Sequence, residues 1–241
     1  MANYVEVEQA LEMNGLRVVL SPGVPGPWSE AAKGILYVKK LPYTKIRQEI
    51  GGENLPLRRW SAQTTAPVFV YENERPRSLW IDQLYLAERL APDPALIPET
   101  LEQRALMFGL ANELCGEDGF GWSRRLMMLH TTLTNPNTPE AARKGAGFLG
   151  RKYGYSPAPA EAAPKRVAEI LRAMDAQLRV LLNQPGAPLF DLIDREQLAL
   201  AYDRDPWLPG FMSIQPSSTA PVAFLLDVNR WLERSGVTVR A

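Results

Sequence analysis

The chain has 241 residues, of which 46% are hydrophobic, so it is long enough to bury a large core in one or two domains. Its 27 basic and 27 acidic residues cancel, and this zero net charge argues against nucleic acid or an anionic membrane surface as a partner. The single cysteine, Cys115, excludes an internal disulfide, and with only one histidine a zinc site is not expected. No apolar run approaches the ~18 residues of a membrane-spanning helix, and the start lacks the pattern of a signal peptide. We therefore expect a cytoplasmic protein.

The first ninety residues alternate short apolar runs with amphipathic segments. An extension over 1–15 would add a strand beside the sheet or form a dimer contact. A loop over 21–27, with three prolines and two glycines, separates the first predicted strand from the first predicted helix. Residues 53–60 are expected to be irregular or a short helix. Strands are predicted at 16–20, 43–48 and 68–71, with a short fourth one around 75–77, and helices at 28–40 and 78–90.

Pro67 stands directly before the apolar run 68–71, an unusual place because proline cannot donate to a sheet ladder. An acidic turn and a helix headed by Ser78 follow. This succession describes the second half of a thioredoxin-like domain, in which the proline is usually cis, whereas only ~5% of X–Pro bonds in proteins are cis. A cis bond there exposes the backbone N–H and C=O of Ala66 to the neighbouring cleft. The alternative is an ordinary loop proline before an edge strand.

The second half of the chain loses its strand patterns after a proline-rich connector. We predict a thioredoxin-like domain over 1–92, a linker over 93–98 and an all-helical domain over 99–241. In the 78–90 helix, the side chains predicted to face inward are Ile81, Leu84 and Tyr85. In the clearest later helix they are Val167, Leu171, Met174, Leu178 and Leu181. The later helices are predicted at 99–114, 122–133, 139–153, 164–183 and 218–235.

This organisation resembles the glutathione S-transferase superfamily. The residues that carry the resemblance are Leu41-Pro42-Tyr43 after the first helix, Ala66-Pro67-Val68 before the third strand, and Ser78-Leu79-Trp80-Ile81 with Leu84-Tyr85 in the next helix. The resemblance implies an α/β thioredoxin-like domain followed by a helical bundle, with a cleft between them. It also implies glutathione as co-substrate and, commonly, a homodimer.

The resemblance implies where glutathione would lie. Its cysteinyl backbone would pair with Ala66 in β-like fashion, beside Pro67. Its γ-glutamyl carboxylate would lie at the N-terminus of the 78–90 helix, where the helix dipole, the Ser78 hydroxyl and Arg77 favour an anion. In the family an acid commonly precedes this serine, and Arg77 stands in its place. The alternatives are a plain helix N-cap for Ser78 and a solvated turn residue for Arg77.

The chemistry implied by the resemblance requires a thiolate, so the glutathione thiol must titrate below its usual pKa of about 8.5. Members of the family place a Tyr, Ser or Cys at the start of the first helix as a donor to the sulfur. Here the candidates are Ser29 first and Ser21 second. Ser29 would otherwise merely cap the helix. Trp28 would close the lip of the cleft or pack in the core.

The electrophile pocket is expected in the helical half, where 113–125 combines three glycines, two aromatics and an arginine pair. Phe120 and Trp122 would line an apolar pocket, and Arg124 would attract an acidic substrate. The alternative is a turn with a solvated arginine pair. The predicted function is a glutathione transferase that activates the thiol for attack on a small apolar electrophile. Conjugation, ether cleavage, dehalogenation, isomerisation and peroxide reduction remain open, and a non-catalytic binding or scaffold protein with another ligand or a protein partner is the alternative.

Overall fold

The computed structural model describes residues 4–23, 26–184 and 195–196. The chain divides into two compact units. The first contains Met1–Pro94 and Glu140–Phe148, and the second contains Ala95–Pro139 and the described residues from Leu149 onward. The helix predicted at 218–235 lies outside the described residues. Within the described part of the chain, no helix is long and apolar enough to cross a bilayer.

The first unit is built on a mixed sheet of three strands in the order β2-β1-β3. Its elements are α1 (Val7–Ala10), β1 (Leu16–Leu20), α2 (Pro27–Val38), β2 (Thr44–Arg47), α3 (Leu55–Ser61), β3 (Val68–Tyr71) and α4 (Trp80–Leu90). β1 runs parallel to β2 and antiparallel to β3, with Val19 opposite Val68. This is the predicted thioredoxin-like order, and the strands lie within one residue of their predicted bounds.

Strand β1 is buried along its whole length because apolar groups cover both faces of the sheet. On one face it packs against the helices α2 and α4, and on the other against α1 and α3. A strand covered on both faces reads as a continuous apolar run rather than an alternating one. The first cluster contains Leu16, Val18, Leu20, Ala32, Leu36, Phe69 and Leu86, and the second contains Val7, Ala10, Val19, Ile46, Leu57, Val68 and Val70.

The N-terminal extension joins the sheet beside β2. The Val5 N–H donates to the Lys45 carbonyl at 2.9 Å, and the Arg47 N–H donates to the Val5 carbonyl at 2.9 Å. These two bonds form a parallel bridge between Val5 and Ile46. Of the two roles considered for the extension, the structure shows the strand-like addition.

The fourth predicted strand is a single bridge. Arg77 exchanges both backbone hydrogen bonds with Phe69, at 2.8 and 2.9 Å. Because Arg77 is held in an extended conformation, α4 begins only at Trp80, with Leu79 as N-cap, two residues after the predicted start. The prediction that Tyr85 faces inward is wrong, since Tyr85 is 45% exposed whereas Leu84 is fully buried.

The remaining helices are α5 (Leu101–Cys115), α6 (Phe120–Thr134), α7 (Glu140–Lys152) and α8 (Pro157–Leu182). α6 packs along α8 around Leu126, Ala160 and Ala163. α8 begins seven residues before its predicted start at Pro164, which lies inside the helix. An internal proline costs a helix about 3 kcal/mol, and the extra turns bury Ala160 and Ala163 against α6. Together the two units confirm the predicted fold class.

Among the residues whose burial the structure describes, the buried stripe of α8 differs from the prediction at one position. Ile170 is 1% exposed, whereas Leu171, which was predicted to face inward, is 36% exposed. The predicted stripe stepped from Val167 by four residues. The next buried residue after Val167 is instead three positions on, at Ile170, because the buried stripe already begins at Ala160 and Ala163.

Candidate functional site

One edge of the sheet gathers most of the predicted site residues of the first unit. The Gln48 N–H donates to the Leu20 carbonyl at 3.0 Å, so the carboxyl ends of β1 and β2 lie together. Continuing the β1–β3 register by two residues places Ser21 opposite Ala66. Because β1 and β2 are parallel, the connecting helix α2 returns antiparallel to them, and its first turn begins at this same edge. Ligands of open α/β sheets bind outside the carboxyl ends of the strands. We therefore take this edge as the candidate site.

Ala66 presents an unpaired backbone at this edge. The Ala66–Pro67 peptide bond is cis. Among the described residues, none hydrogen-bonds to the Ala66 N–H or C=O. The carbonyl of Pro67, in contrast, accepts a hydrogen bond from the side chain of Gln83. Backbone groups left unpaired next to a sheet are where an extended peptide can add.

Ser29 lies in the first turn of α2. Gly26 is the N-cap and Pro27 the first helical residue, so Ser29 is the third residue of the helix rather than its cap. Its side chain is largely covered, with 7% of the residue exposed. Within the described part of the chain, its hydroxyl makes no hydrogen bond. Trp28, half-buried, precedes it in the same turn. The position thus combines an available hydroxyl with the positive end of a helix.

Ser21, the second candidate, is already engaged. Its hydroxyl donates to the side-chain oxygen of Gln48 at 2.5 Å. A serine hydroxyl has one proton, so Ser21 cannot donate to a sulfur while this bond is in place. The structure therefore favours Ser29 over Ser21 as the donor to an anion.

Ser78 lies one residue before the N-cap of α4, not at it. The N-cap is Leu79, whose side chain cannot accept a hydrogen bond, so no side chain caps this helix. The Ser78 hydroxyl makes no hydrogen bond with the residues that the structure describes. Continuing the Phe69–Arg77 bridge by one residue places Ser78 opposite Val68, directly after Pro67. The first turn of α4 and the cis bond therefore lie close together.

The guanidinium of Arg77 is bound by an acid that sequence reasoning missed. Its Nη2 donates to Glu74 Oε2 at 2.6 Å and its Nη1 to the Arg75 carbonyl at 3.1 Å. Arg89 also donates to both carboxylate oxygens of Glu74. Hydrogen bonds from Arg89 and then from Arg77 lower the pKa of Glu74 below its ordinary value. Arg77 is therefore not a solvated turn residue, since its side chain is 13% exposed and paired.

Three predicted substrate residues lie at the start of α6, in the second unit. Phe120 is the first residue of this helix. The ring of Trp122 meets that of Tyr153 edge-on, with centroids 6.1 Å apart. The guanidinium of Arg125 lies over both rings, 4.0 Å from the Tyr153 centroid, and burial lowers its pKa. Arg124 is half-buried, and its buried Nε has no hydrogen-bond partner among the residues that the structure describes. Tyr153 and the stacking of Arg125 could not be predicted, because the residues are distant in sequence.

The turn before α6 is tightly built. A Cβ on Gly119 would lie 2.8 Å from the Glu113 carbonyl oxygen, so no larger residue fits. Arg166 of α8 holds the turn from outside, donating to the Glu113 carboxylate at 2.7 Å and to the Asp118 carbonyl at 3.0 Å. Gly119 thus serves close backbone packing in this turn.

Metal ligation finds no support among the residues that the structure describes, where no three His, Cys, Asp or Glu side chains gather. The single histidine, His130, has its Nδ1 2.9 Å from the Tyr155 hydroxyl. Two buried amides at the candidate edge, Gln48 and Gln83, were not recognised from the sequence. A buried glutamine has no pattern that separates it from a surface one.

Comparison with known proteins supports the fold. No protein-family model and no curated protein matches the chain. The beta-etherase LigF from Sphingobium sp. strain SYK-6 is 15% identical, with a TM-score of 0.53 over 89% of this chain and 95% of that one. A glutathione-bound theta-class glutathione S-transferase from Xanthomonas axonopodis pv. citri is 18% identical, with a TM-score of 0.46 over 69% and 72% of the two chains. A tau-class enzyme from mango is 19% identical, with a TM-score of 0.46, and the match spans 72% of this chain and 66% of the mango protein. The chain has the fold of the glutathione transferase superfamily, a thioredoxin-like domain followed by a helical domain.

Proposed function

We propose that this protein is a glutathione transferase-like enzyme that takes glutathione as co-substrate and activates its thiol for attack on a small apolar electrophile. The observation that carries the proposal is the available Ser29 hydroxyl in the first turn of α2, at the edge where the Ala66 backbone is also unpaired. A peptide thiol needs both features, a backbone to pair with and a donor to its sulfur.

Ser29 would donate its hydroxyl proton to the glutathione sulfur once the thiol proton has left to solvent. A charge-assisted hydrogen bond of this kind contributes about 1.5–3 kcal/mol. That energy lowers the thiol pKa by about one to two units, from about 8.5 toward neutrality. The thiolate would then form a carbon–sulfur bond to the electrophilic carbon, and the leaving group, a halide ion for an aryl halide, would depart with the electrons of the bond that breaks. The N-terminal end of α2 adds to the stabilisation of the negative charge.

The peptide part of glutathione would be held by the elements beside Ser29. Its cysteinyl backbone would pair with Ala66, next to Pro67. Its γ-glutamyl carboxylate would bind the uncapped first turn of α4, with the Ser78 hydroxyl as a further donor. Arg77 could bind the γ-glutamyl carboxylate only if its ion pair with Glu74, whose atoms lie 2.6 Å apart, were broken.

The second substrate would be bound by the helical domain, which we place at 99–241 after a glutathione-binding domain at 1–92 and a linker at 93–98. Phe120 and Trp122 would supply apolar surface, and the positive charge of the half-buried Arg124 would attract an acidic group. Trp28 would close the lip of the cleft. We further propose a cytoplasmic homodimer, as is common in the family.

A non-catalytic binding or scaffold protein is the second candidate. Two observations favour it. Position 77 carries an arginine rather than an acid that could bind the ammonium of glutathione, and the guanidinium of that arginine is already paired with Glu74. In this reading the same edge would bind another ligand or a protein partner.

Calorimetric titration of glutathione into the wild-type protein and into Ser78→Ala tests the binding step. We expect binding in the wild type and an affinity about ten- to a hundredfold weaker in the variant, because one hydrogen bond to a charged group, worth about 1.5–3 kcal/mol, is lost. Turnover with a chromogenic aryl halide then separates the two candidates. Binding without turnover of any of a panel of electrophiles would favour the scaffold, and no binding at millimolar glutathione would reject the enzyme.

A further inference from the structure

We propose that Gln48 and Gln83 are positioning residues that hold the backbone on both sides of the Ala66–Pro67 bond so that Ala66 is ready to pair with a peptide ligand. This inference rests on the proposed function, and it adds two residues that neither touch glutathione nor take part in the chemistry.

Gln83 holds the backbone after the cis bond. It lies in α4, and only 2% of it is exposed. Its Nε2 donates to the Pro67 carbonyl at 3.2 Å and to the Arg77 carbonyl at 3.2 Å. An amide nitrogen carries two protons, so both bonds can form together. One side chain therefore ties the segment that would pair with the cysteinyl residue to the segment that would hold the γ-glutamyl carboxylate.

Gln48 holds the backbone before the cis bond. It follows β2 and is 5% exposed. Its Nε2 donates to the Thr64 carbonyl at 3.3 Å and to the Glu49 carbonyl at 2.6 Å, while its Oε1 accepts the hydroxyl proton of Ser21. The side chain thus connects the ends of β1 and β2 to the loop that leads into Pro67.

These bonds leave the two residues between the held carbonyls, Thr65 and Ala66, without a hydrogen-bond partner in the described part of the chain. The carbonyls of Thr64 and Pro67 are each occupied by a buried amide, and between them the N–H and C=O of Ala66 pair with no described residue. Ala66 is half-buried beside the sheet edge, so its N–H and C=O are accessible to an extended peptide that pairs with them. Fixing the loop in advance also removes the ordering cost that a ligand would otherwise meet.

Substitution by methionine tests this arrangement because it keeps the side-chain length and removes the donors. The matched control is Gln63→Met, one residue before Thr64, where the glutamine side chain makes no hydrogen bond within the described chain. The probe is a pair of ligands, glutathione and its analogue with a methyl group on the cysteinyl amide nitrogen. The analogue cannot donate to the Ala66 carbonyl.

In the wild type and in Gln63→Met we expect methylation of the ligand to weaken binding about tenfold, the worth of one backbone hydrogen bond in a covered site. In Gln83→Met and Gln48→Met we expect glutathione itself to bind about tenfold more weakly and the penalty for methylation to fall below about threefold. If the glutamines only stabilised the fold, the folded variants would still show the wild-type penalty for methylation of the ligand.

An unchanged methylation penalty in the folded glutamine variants would overturn the inference and leave the proposed function intact. A wild type that binds both ligands equally would also overturn the inference, because Ala66 would then not pair with the cysteinyl amide; it would remove that contact from the proposed binding mode and leave the activation of the thiol by Ser29 standing. Absence of glutathione binding in the wild type would instead reject the proposed function and, with it, this inference. If neither variant folds, the inference is tested by hydrogen exchange of the glutamine side-chain amide protons in the wild type, with and without glutathione. We expect glutathione to slow exchange at Gln48 and Gln83 at least tenfold more than at Gln63, and equal changes would refute the proposal.

Discussion

Replacement of Lys39 by methionine should lower the free energy of unfolding of the first unit more than the same replacement of Lys33, a charged residue within α2. Lys39 follows α2, and its side chain is completely buried. Its ammonium donates to the carbonyls of Pro92 and Pro94, at 3.2 and 2.6 Å, and lies 2.7 Å from the Glu88 carboxylate. Three partners satisfy its three protons, and two of them belong to the connector that leaves this unit.

Removing one member of a buried ion pair costs about 3–5 kcal/mol, because the other charge stays buried without compensation. Since the Glu88 side chain retains 18% exposure, we expect the lower end, about 3 kcal/mol. The double variant Lys39→Met with Glu88→Gln should regain about 1–2 kcal/mol, because the carboxylate charge that faced the ammonium is then removed as well.

Urea unfolding followed by circular dichroism and by tryptophan fluorescence measures these changes, and coincidence of the two signals tests two-state behaviour. Lys33→Met is the control. Lys33 lies on the same helix and pairs with Glu30 at 2.6 Å, but both side chains are about 40% exposed, so its loss should stay below about 0.5 kcal/mol. A loss below about 1 kcal/mol for Lys39→Met, or a double variant no more stable than the single one, would refute the argument.

Three further predictions concern other contacts. Hydrogen bonds from arginines hold the pKa of Glu74 below 4.5, so its contribution to stability is present above that pH and disappears as the pH falls through its folded-state value. The stability difference between wild type and Glu74→Gln, followed by urea unfolding, should therefore shrink as the pH falls below 4.5, and a constant difference would contradict this. Gly119→Ala should cost about 2 kcal/mol in thermal unfolding, because its Cβ would lie 2.8 Å from the Glu113 carbonyl; an unchanged melting temperature would show that the turn yields. Ser21→Ala should leave the pKa of bound glutathione unchanged, since its proton is committed to Gln48, and a raised pKa would restore Ser21 as the donor.

The sequence predicted the elements that local pattern determines. The strands β1 and β3 followed from apolar runs between turn residues, β2 followed from a weak alternation over 43–48, and the helix α2 followed from its apolar face after the loop prolines. The start of α8 was missed because Pro164 was taken as its beginning, whereas packing of Ala160 and Ala163 extends the helix past it. That error also shifted the predicted stripe from Ile170 to Leu171.

The candidate site was predictable only in part. Ser29, Ala66 and Ser78 occur beside recognisable local features, a helix start and a proline before a strand. The partners of these segments are long-range contacts, such as that of Gln83 with the Pro67 carbonyl, sixteen residues apart. No local pattern distinguishes such a glutamine from a solvated one, so the supporting side chains emerge only from the folded structure.

The central claim is that Ser29 stabilises the thiolate of glutathione, and the pKa of the bound thiol tests it most directly. The measurement is a pH titration of thiolate absorbance for glutathione bound to the wild type, to Ser29→Ala and to Ser29→Thr as the conservative control. We predict a bound-thiol pKa about one to two units below 8.5 in the wild type and in Ser29→Thr. In Ser29→Ala the pKa should return toward 8.5 while the affinity for glutathione changes little. A wild-type pKa equal to that of free glutathione, or one that Ser29→Ala leaves unchanged, would contradict the account.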